Sequence, residues 1–171
     1  MSSDATAANP LLDRIVAFLR GIGITVREAE LDDDAFLPGV RVADGALLFD
    51  RARLRWPGDL LHEAGHLAVL PPGLRAAMSN DLAGHDDVPH AGEIEATAWA
   101  YAATVAIGLA PAVLFHEGGY HGKSASLAMT YSIGVFPGVH GLVQAGMTAS
   151  GTEAAQRGET TYPAMQRWLR Q

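Results

Sequence analysis

The spacing of apolar residues predicts that the chain begins with a helix and continues with short strands. Apolar residues recur at helical intervals over 11–20, directly after Asn9-Pro10, and Gly21 follows them. Asparagine before proline is a typical helix start and glycine a typical end, so a first helix is predicted over 11–20. Apolar and polar residues then alternate over 24–29, which predicts a strand.

A β-hairpin is predicted by two runs, 39–43 and 46–50, on either side of Asp44-Gly45. Peptides commonly bind as an added strand along an exposed sheet edge. The hairpin from Val40 to Phe49 is therefore our candidate for an edge that receives a peptide.

Two longer helices are predicted in the middle of the chain. The run 60–70 is apolar on most sides and ends at Pro71-Pro72-Gly73, because proline cannot continue a helix. A short helix over 74–78 is expected next. The run 93–109 combines an apolar stripe with many alanines, which favours close packing against the helix over 60–70.

Two polar segments are predicted to be irregular. The acidic run at 32–34 lacks the spaced ligands of a calcium loop, which favours a solvated turn. The segment 80–92 contains His85 and His90 but also breaks in pattern at glycine and proline. We expect a solvated loop or a mobile active-site flap there rather than metal ligands.

The last third of the chain gives weaker patterns. It predicts a helix over 123–133, a turn over 134–141 and an apolar segment over 142–147 that closes a cleft wall or mediates self-association. A polar loop over 148–161 and a terminal helix over 162–170 are expected to follow.

Length and composition favour a single domain over 1–171, and the predicted small sheet beside two central helices makes it an α+β fold. The net charge of −7 argues against nucleic acid or an anionic membrane as the main partner, and no apolar run is long enough to span a bilayer. The absence of cysteine excludes disulfides and thiolate sites. The first ten residues lack the pattern of a signal peptide, so a cytoplasmic location is expected.

A histidine–glutamate motif on the helix over 60–70 carries the candidate chemistry. His62 and His66 are four residues apart, so on a helix they lie on one face, one turn apart, and could bind one zinc ion. Glu63 would then act as the general base that activates zinc-bound water. Such a motif also arises by chance on a structural helix, but two histidines and a glutamate are costly to bury in an apolar helix unless they are paired.

A third ligand is expected from the helix over 93–109. A His₂Glu zinc site needs a glutamate from a neighbouring helix. Glu95 shares a face with the apolar stripe and is the first choice, whereas Glu93 lies about 200° round the axis and is the alternative. An acidic residue in the first turn of a helix also has an ordinary explanation in the helix dipole.

The glycine-rich stretch over 113–124 holds the candidates for stabilising an oxyanion. Tyr120 and His121 are proposed for this role, and a purely structural loop is the alternative. His116 and His121 are alternatives as ligands of a second metal, but no partner motif accompanies them.

The residues His62-Glu63-Ala64-Gly65-His66, followed by Glu93-Ile94-Glu95-Ala96-Thr97-Ala98-Trp99-Ala100, resemble the gluzincins and, more narrowly, the ImmA/IrrE metallopeptidases. In that family the second helix reads E-x-E-A-N-x-F-A, so Thr97 and Trp99 depart from the pattern. The resemblance covers about residues 45–110. It implies a zincin-like fold and a zinc-dependent endopeptidase, often acting on regulatory proteins.

Zinc-dependent hydrolysis of a protein or peptide substrate is the leading prediction. A metal-stabilised interaction or sensor module without proteolysis is the first alternative, and a zinc hydrolase of a non-peptide amide or ester is the second. The ligand types alone would also admit iron, manganese or cobalt.

Overall fold

The computed structural model describes residues 8–32, 37–79 and 91–171, and within them the chain is an α+β structure. Eight α-helices are found in these ranges: α1 Pro10–Gly21, α2 Gly58–Val69, α3 Pro72–Ala77, α4 Ala91–Ile107, α5 Pro111–Leu114, α6 Ser124–Ser132, α7 Val139–Gln144 and α8 Gly151–Gln156. The strands are β1 Val26–Glu28, β2 Val40–Ala43 and β3 Ala46–Phe49, and a 3₁₀ turn spans Tyr120–Gly122.

The three described strands form a small mixed sheet in the order β1-β3-β2. β1 runs parallel to β3, with Val26 opposite Leu47, and β2 runs antiparallel to β3. The predicted hairpin is confirmed: Asp44 and Gly45 both have positive φ, as a tight hairpin turn requires. Within this sheet β3 is central, so of the hairpin strands only β2 lies at an edge.

Helices α2 and α4 form the centre of the core, and α2 also packs against β2 and β3. Their close approach depends on Gly65, where an added Cβ would overlap the backbone carbonyl of Ala96. Leu60, Leu61 and Trp99 are fully buried around this contact. The two helices that the sequence predicted as chemically important are therefore direct neighbours.

The N-terminal half of the chain follows the predicted pattern closely. Asn9 caps α1 by accepting a hydrogen bond from the Leu12 amide, as its place before proline suggested. The predicted helices over 60–70, 74–78 and 93–109, and the later one over 123–133, are confirmed with ends shifted by at most two residues.

The C-terminal predictions are partly wrong. No helix forms over 162–170, because tertiary partners hold the backbone there: the amides of Gln166 and Arg167 both donate to the Met147 carbonyl. This end nevertheless packs on the rest of the structure, since Trp168 lies edge-on against Phe18 and Trp99.

Two short helices lie in segments predicted as irregular, and a third lies where no element was predicted. The loop predicted over 148–161 contains α8, the turn over 134–141 gives way to α7 at Val139, and α5 was not predicted. Each has six residues or fewer, which is too short for a periodic signal to develop.

Two predictions lie outside the described residues. They are the part of the acidic run at 33–34 and the loop over 80–90 with His85 and His90. Among the described residues, no helix has both the length and the apolar character needed to cross a membrane.

Candidate metal centre

Two imidazoles and one carboxylate converge between α2 and α4. The Nε2 atoms of His62 and His66 lie 3.2 Å apart. The two carboxylate oxygens of Glu93 lie 3.1 Å from His62 Nε2 and 3.0 Å from His66 Nε2. The histidine side chains are 15% and 16% exposed and that of Glu93 is 55% exposed, so the centre is open to solvent at Glu93.

Glu93, the alternative in the sequence analysis, meets the histidines, and Glu95 does not. An added Cβ on Gly141 of α7 would lie 2.5 Å from Glu95 Oε1, which shows that the Glu95 side chain lies against α7. Its Oε2 atom is buried without a hydrogen-bond partner in the described part of the chain.

The expected orientation of α4 was wrong because its apolar residues do not mark one side. Residues 96–100 of α4 are all buried, so the helix is enclosed and its apolar stripe does not show which side meets α2. The contact between Gly65 and Ala96 sets that orientation instead. Glu93 precedes Ala96 by three residues and therefore shares its face.

Glu63 lies beside the two histidines on the same turn of α2. A carboxylate oxygen of Glu63 lies within 4.8 Å of a ring nitrogen of each histidine, and the residue is 8% exposed. This is the group that the spacing of the motif predicted. A buried carboxylate at this distance leaves room for a water between it and an ion held by the imidazoles.

The centre has a net attraction for positive charge. Hydrogen bonds from His62 and His66 hold the pKa of Glu93 well below its ordinary value, so Glu93 is ionised at neutral pH. Burial lowers the pKa of His62, but the hydrogen bond to Glu93 and the negative charges of Glu93, Glu63 and Asp59 outweigh it and raise that pKa. Such surroundings favour a bound cation as well as a bound proton.

Tyr120 contacts the second ring nitrogen of His62. Its hydroxyl lies 3.2 Å from His62 Nδ1, with the two rings edge to face. Burial, together with the charge of Glu93, raises the pKa of Tyr120, so it is a neutral phenol at neutral pH. The sequence predicts that Tyr120 donates to an oxyanion. In the structure Tyr120 lies at the centre, where its hydroxyl contacts the candidate ligand His62.

The two ring nitrogens of His62 have different partners. Nε2 lies 3.1 Å from a carboxylate oxygen of Glu93, which only accepts, so without an ion Nε2 carries the proton of this hydrogen bond. Nδ1 lies 3.2 Å from the Tyr120 hydroxyl, whose oxygen can accept from Nδ1–H. An ion held at Nε2 would require neutral His62 to carry its proton on Nδ1, where Tyr120 lies.

The backbone at Tyr120 and His121 is strained. Both residues have positive φ, 54° and 51°, which costs about 1–2 kcal/mol for each residue that carries a Cβ. His121 is exposed and is not in the ligand group, so the structure does not bring this predicted residue to the centre. Among the described residues no second group of three metal-ligating side chains is found.

A buried pair near the centre was missed by the sequence analysis. His116 Nε2 lies 2.8 Å from Asp59 Oδ1, and the His116 ring stacks on Trp56. Asp59 is three residues before His62 on α2, a spacing that could have drawn attention to it. Nothing in the sequence pairs it with a histidine 57 residues away.

The donor set fits a zinc ion. Ligands at about 2.0–2.1 Å around a tetrahedral ion are about 3.3 Å from one another. The separations of 3.0–3.2 Å between His62 Nε2, His66 Nε2 and the Glu93 oxygens are close to this value. The Tyr120 hydroxyl at His62 Nδ1 can accept the ring proton that a ligand bound through Nε2 would carry there.

Comparison of the chain with protein-family models, with curated proteins and with solved structures found no match. What the centre binds is therefore inferred from its own residues and distances.

Proposed function

We propose that the chain is a zinc-dependent peptidase with a zincin-like architecture, in which His62, His66 and Glu93 hold the ion. The convergence of two Nε2 atoms and a carboxylate beside buried Glu63 carries this proposal. The set matches the His₂Glu ligands of catalytic zinc sites, which leave one position for water or substrate.

Zinc bound here would lower the pKa of a coordinated water to about 7 and polarise a substrate carbonyl. Glu63 is the general base of the proposed reaction: its carboxylate accepts a proton from the attacking water and passes it to the leaving nitrogen. Tyr120 would accept the Nδ1 proton of His62 while Nε2 binds the ion. Each of these steps uses a group already within reach of the centre.

The surroundings favour a peptide as the substrate. The exposed side of Glu93 gives access from solvent, and α2 packs against the edge strand β2. A peptide added along β2 would receive main-chain hydrogen bonds, which act on any sequence. We therefore favour an extended protein or peptide segment over a compact amide or ester.

The test compares wild type with Glu63→Gln, using zinc content and hydrolysis of a mixture of fluorogenic peptides of random sequence. We expect one zinc per chain in both proteins and a loss of at least about 100-fold in hydrolysis in the variant, as removal of a general base costs. Glu153→Gln on exposed α8 removes the same charge away from the centre and is the matched control.

The other outcomes decide between the remaining functions. Zinc binding without hydrolysis by wild type would contradict the peptidase and favour a metal-stabilised interaction module. Hydrolysis of non-peptide amides or esters alone, still dependent on Glu63, would mean that the substrate is such an amide or ester and not a peptide. An equal rate in Glu63→Gln would remove the proposed mechanism.

A further inference from the structure

We infer that the buried Asp59–His116 pair positions Tyr120 against His62, so that Asp59 and His116 are positioning residues for the metal centre. The inference rests on the zinc centre proposed above but not on peptide hydrolysis. It assigns a role to a buried, hydrogen-bonded pair that the proposed reaction leaves unused.

The first step is that His116 is fixed against the beginning of α2. Its side chain is 5% exposed, its ring is stacked on Trp56 at 4.6 Å, and its Nε2 is 2.8 Å from the Asp59 carboxylate. Its Nδ1 is buried without a partner among the described residues. Asp59 is thus the one polar side chain seen to hold this imidazole, and it must accept from Nε2–H.

The second step is that the residues on either side of His116 pack in close contact with α2 and Trp56. An added Cβ on Gly58 would overlap the Val113 carbonyl, which brings the end of α5 onto α2. An added Cβ on Gly118 would lie 2.5 Å from Trp56 Nε1. The segment that leads to Tyr120 is therefore seated on the same turn of α2 that carries Asp59.

The third step is that the contact of this segment with His116 lies next to Tyr120 in the chain. Gly119 touches the His116 ring so closely that an added Cβ would be 3.0 Å from Cε1. Its carbonyl accepts from the Ser124 hydroxyl, which closes the turn on its other side. Tyr120 follows at once with positive φ, a conformation that persists only when the surroundings enforce it.

The pair and the ligand are therefore linked through one short loop. Asp59 lies three residues before His62 on a rigid helix, and His116 lies four residues before Tyr120. Fixing His116 to Asp59 fixes the distance between Tyr120 and His62. If His116 only filled the core, the distance between Tyr120 and His62 would not depend on its hydrogen bond to Asp59.

The experiment is a double-mutant cycle on zinc affinity, measured by competition with a chromophoric chelator. Its members are wild type, His116→Phe, Tyr120→Phe and the double variant. His116→Phe keeps a ring on Trp56 and removes the bond to Asp59. We expect Tyr120→Phe to weaken zinc binding about 10–100-fold, as loss of an outer partner of a ligand does, and His116→Phe about tenfold.

The double variant should bind zinc no more weakly than Tyr120→Phe alone, because the pair acts through the phenol. An unchanged affinity in His116→Phe, or losses that multiply in the double variant, would overturn the inference. If His116→Phe does not fold, Gly119→Ala takes its place in the cycle. The backbone of Gly119 has φ −107°, which alanine adopts, and its new methyl group would press on the His116 ring.

A metal-independent measurement separates this inference from the proposed function. In the metal-free protein we expect a nuclear Overhauser effect between the Tyr120 and His62 rings, whose centroids are 5.3 Å apart, and its loss in His116→Phe. Its persistence in the variant would refute positioning even if wild type bound no zinc. Zinc binding without hydrolysis would refute only the peptidase.

Discussion

Two glutamates at the start of α4 have opposite surroundings although one residue separates them. Glu93 is half exposed and each of its oxygens meets an imidazole. Glu95 lies against α7, and its Oε2 atom is buried with no partner in the described part of the chain. Of the two carboxylates, that of Glu95 is the better buried, and its contacts among the described residues indicate no function.

The difference shows that burial does not identify a ligand on an enclosed helix. A buried carboxylate can serve as a ligand where it is paired with positively charged or polar groups, since an unpaired carboxylate merely loses its hydration. On α4 the side that meets α2 is selected by two small residues, Gly65 and Ala96. The carboxylate on that side becomes the candidate ligand.

The largest expected effect is on zinc affinity when Glu93 and Glu95 are exchanged for glutamine one at a time. Glu93→Gln should weaken zinc binding by more than about 100-fold, beyond the effect of an outer partner, because a neutral amide replaces a charged ligand. Glu95→Gln should leave the affinity within about threefold of wild type. Competition with a chelator measures both, and the reverse ranking would return the ligand to Glu95.

The fold and the core of the centre were predictable wherever the signal is local. Asp44-Gly45 between two short runs predicted the hairpin, Asn9-Pro10 predicted the start of α1, and the four-residue spacing predicted the pair His62 and His66. These features depend on residues within a few positions of one another. Elementary helix and strand geometry therefore suffices to predict them.

The features that could not be predicted depend on distant partners. Asp59 meets a histidine 57 residues away, and the Trp99 indole donates to the Trp168 carbonyl 69 residues away. The latter contact helps to hold the end of the chain out of a helix. Its local sequence still carries apolar residues at helical intervals, so tertiary contacts override the local preference.

Substitution of the glycines beneath the two sides of α4 sharpens the comparison. Gly65→Ala should lower the free energy of unfolding by about 1–3 kcal/mol, because the methyl group must displace the Ala96 carbonyl. We expect zinc affinity to fall with it, since Glu93 moves away from the histidines.

Gly141→Ala is the matched control on the other side. Its methyl group meets the Glu95 side chain, and alanine gains about 1 kcal/mol of helix propensity, so a small net change is expected. Zinc affinity should stay at the wild-type value. Chemical denaturation and the chelator assay test both proteins, and equal zinc affinities in the two would contradict the role given to Gly65.

Asp50 supplies a buried carboxylate whose partners are complete. It accepts from the amides of Leu31 and Ala52, each at 3.0 Å. The Leu31 bond is the main cause that lowers its pKa, against the opposing effect of burial. A carboxyl group with a lowered folded pKa stabilises above its unfolded pKa of about 3.9 and loses that contribution as the pH falls through the folded value.

Asp50→Asn should therefore lower the free energy of unfolding by about 1–3 kcal/mol at pH 7, because an amide donor replaces an acceptor. The difference from wild type should shrink below about pH 4, where the carboxyl of the unfolded chain begins to be protonated while that of the folded chain is still ionised. Urea denaturation at pH 7 and pH 3 measures it. A difference that grows at low pH would contradict the assignment.

The smallest effect is expected where Glu95 is replaced by methionine, which has a similar volume and no unpaired oxygen. The buried Oε2 of Glu95 has no partner among the described residues, so its removal relieves an uncompensated loss of hydration. Replacing a poorly paired buried charge by an apolar side chain is often neutral or stabilising. We expect the free energy of unfolding to rise by up to about 1 kcal/mol with zinc affinity unchanged. A loss of stability would contradict the conclusion that the Glu95 carboxylate is buried without compensation.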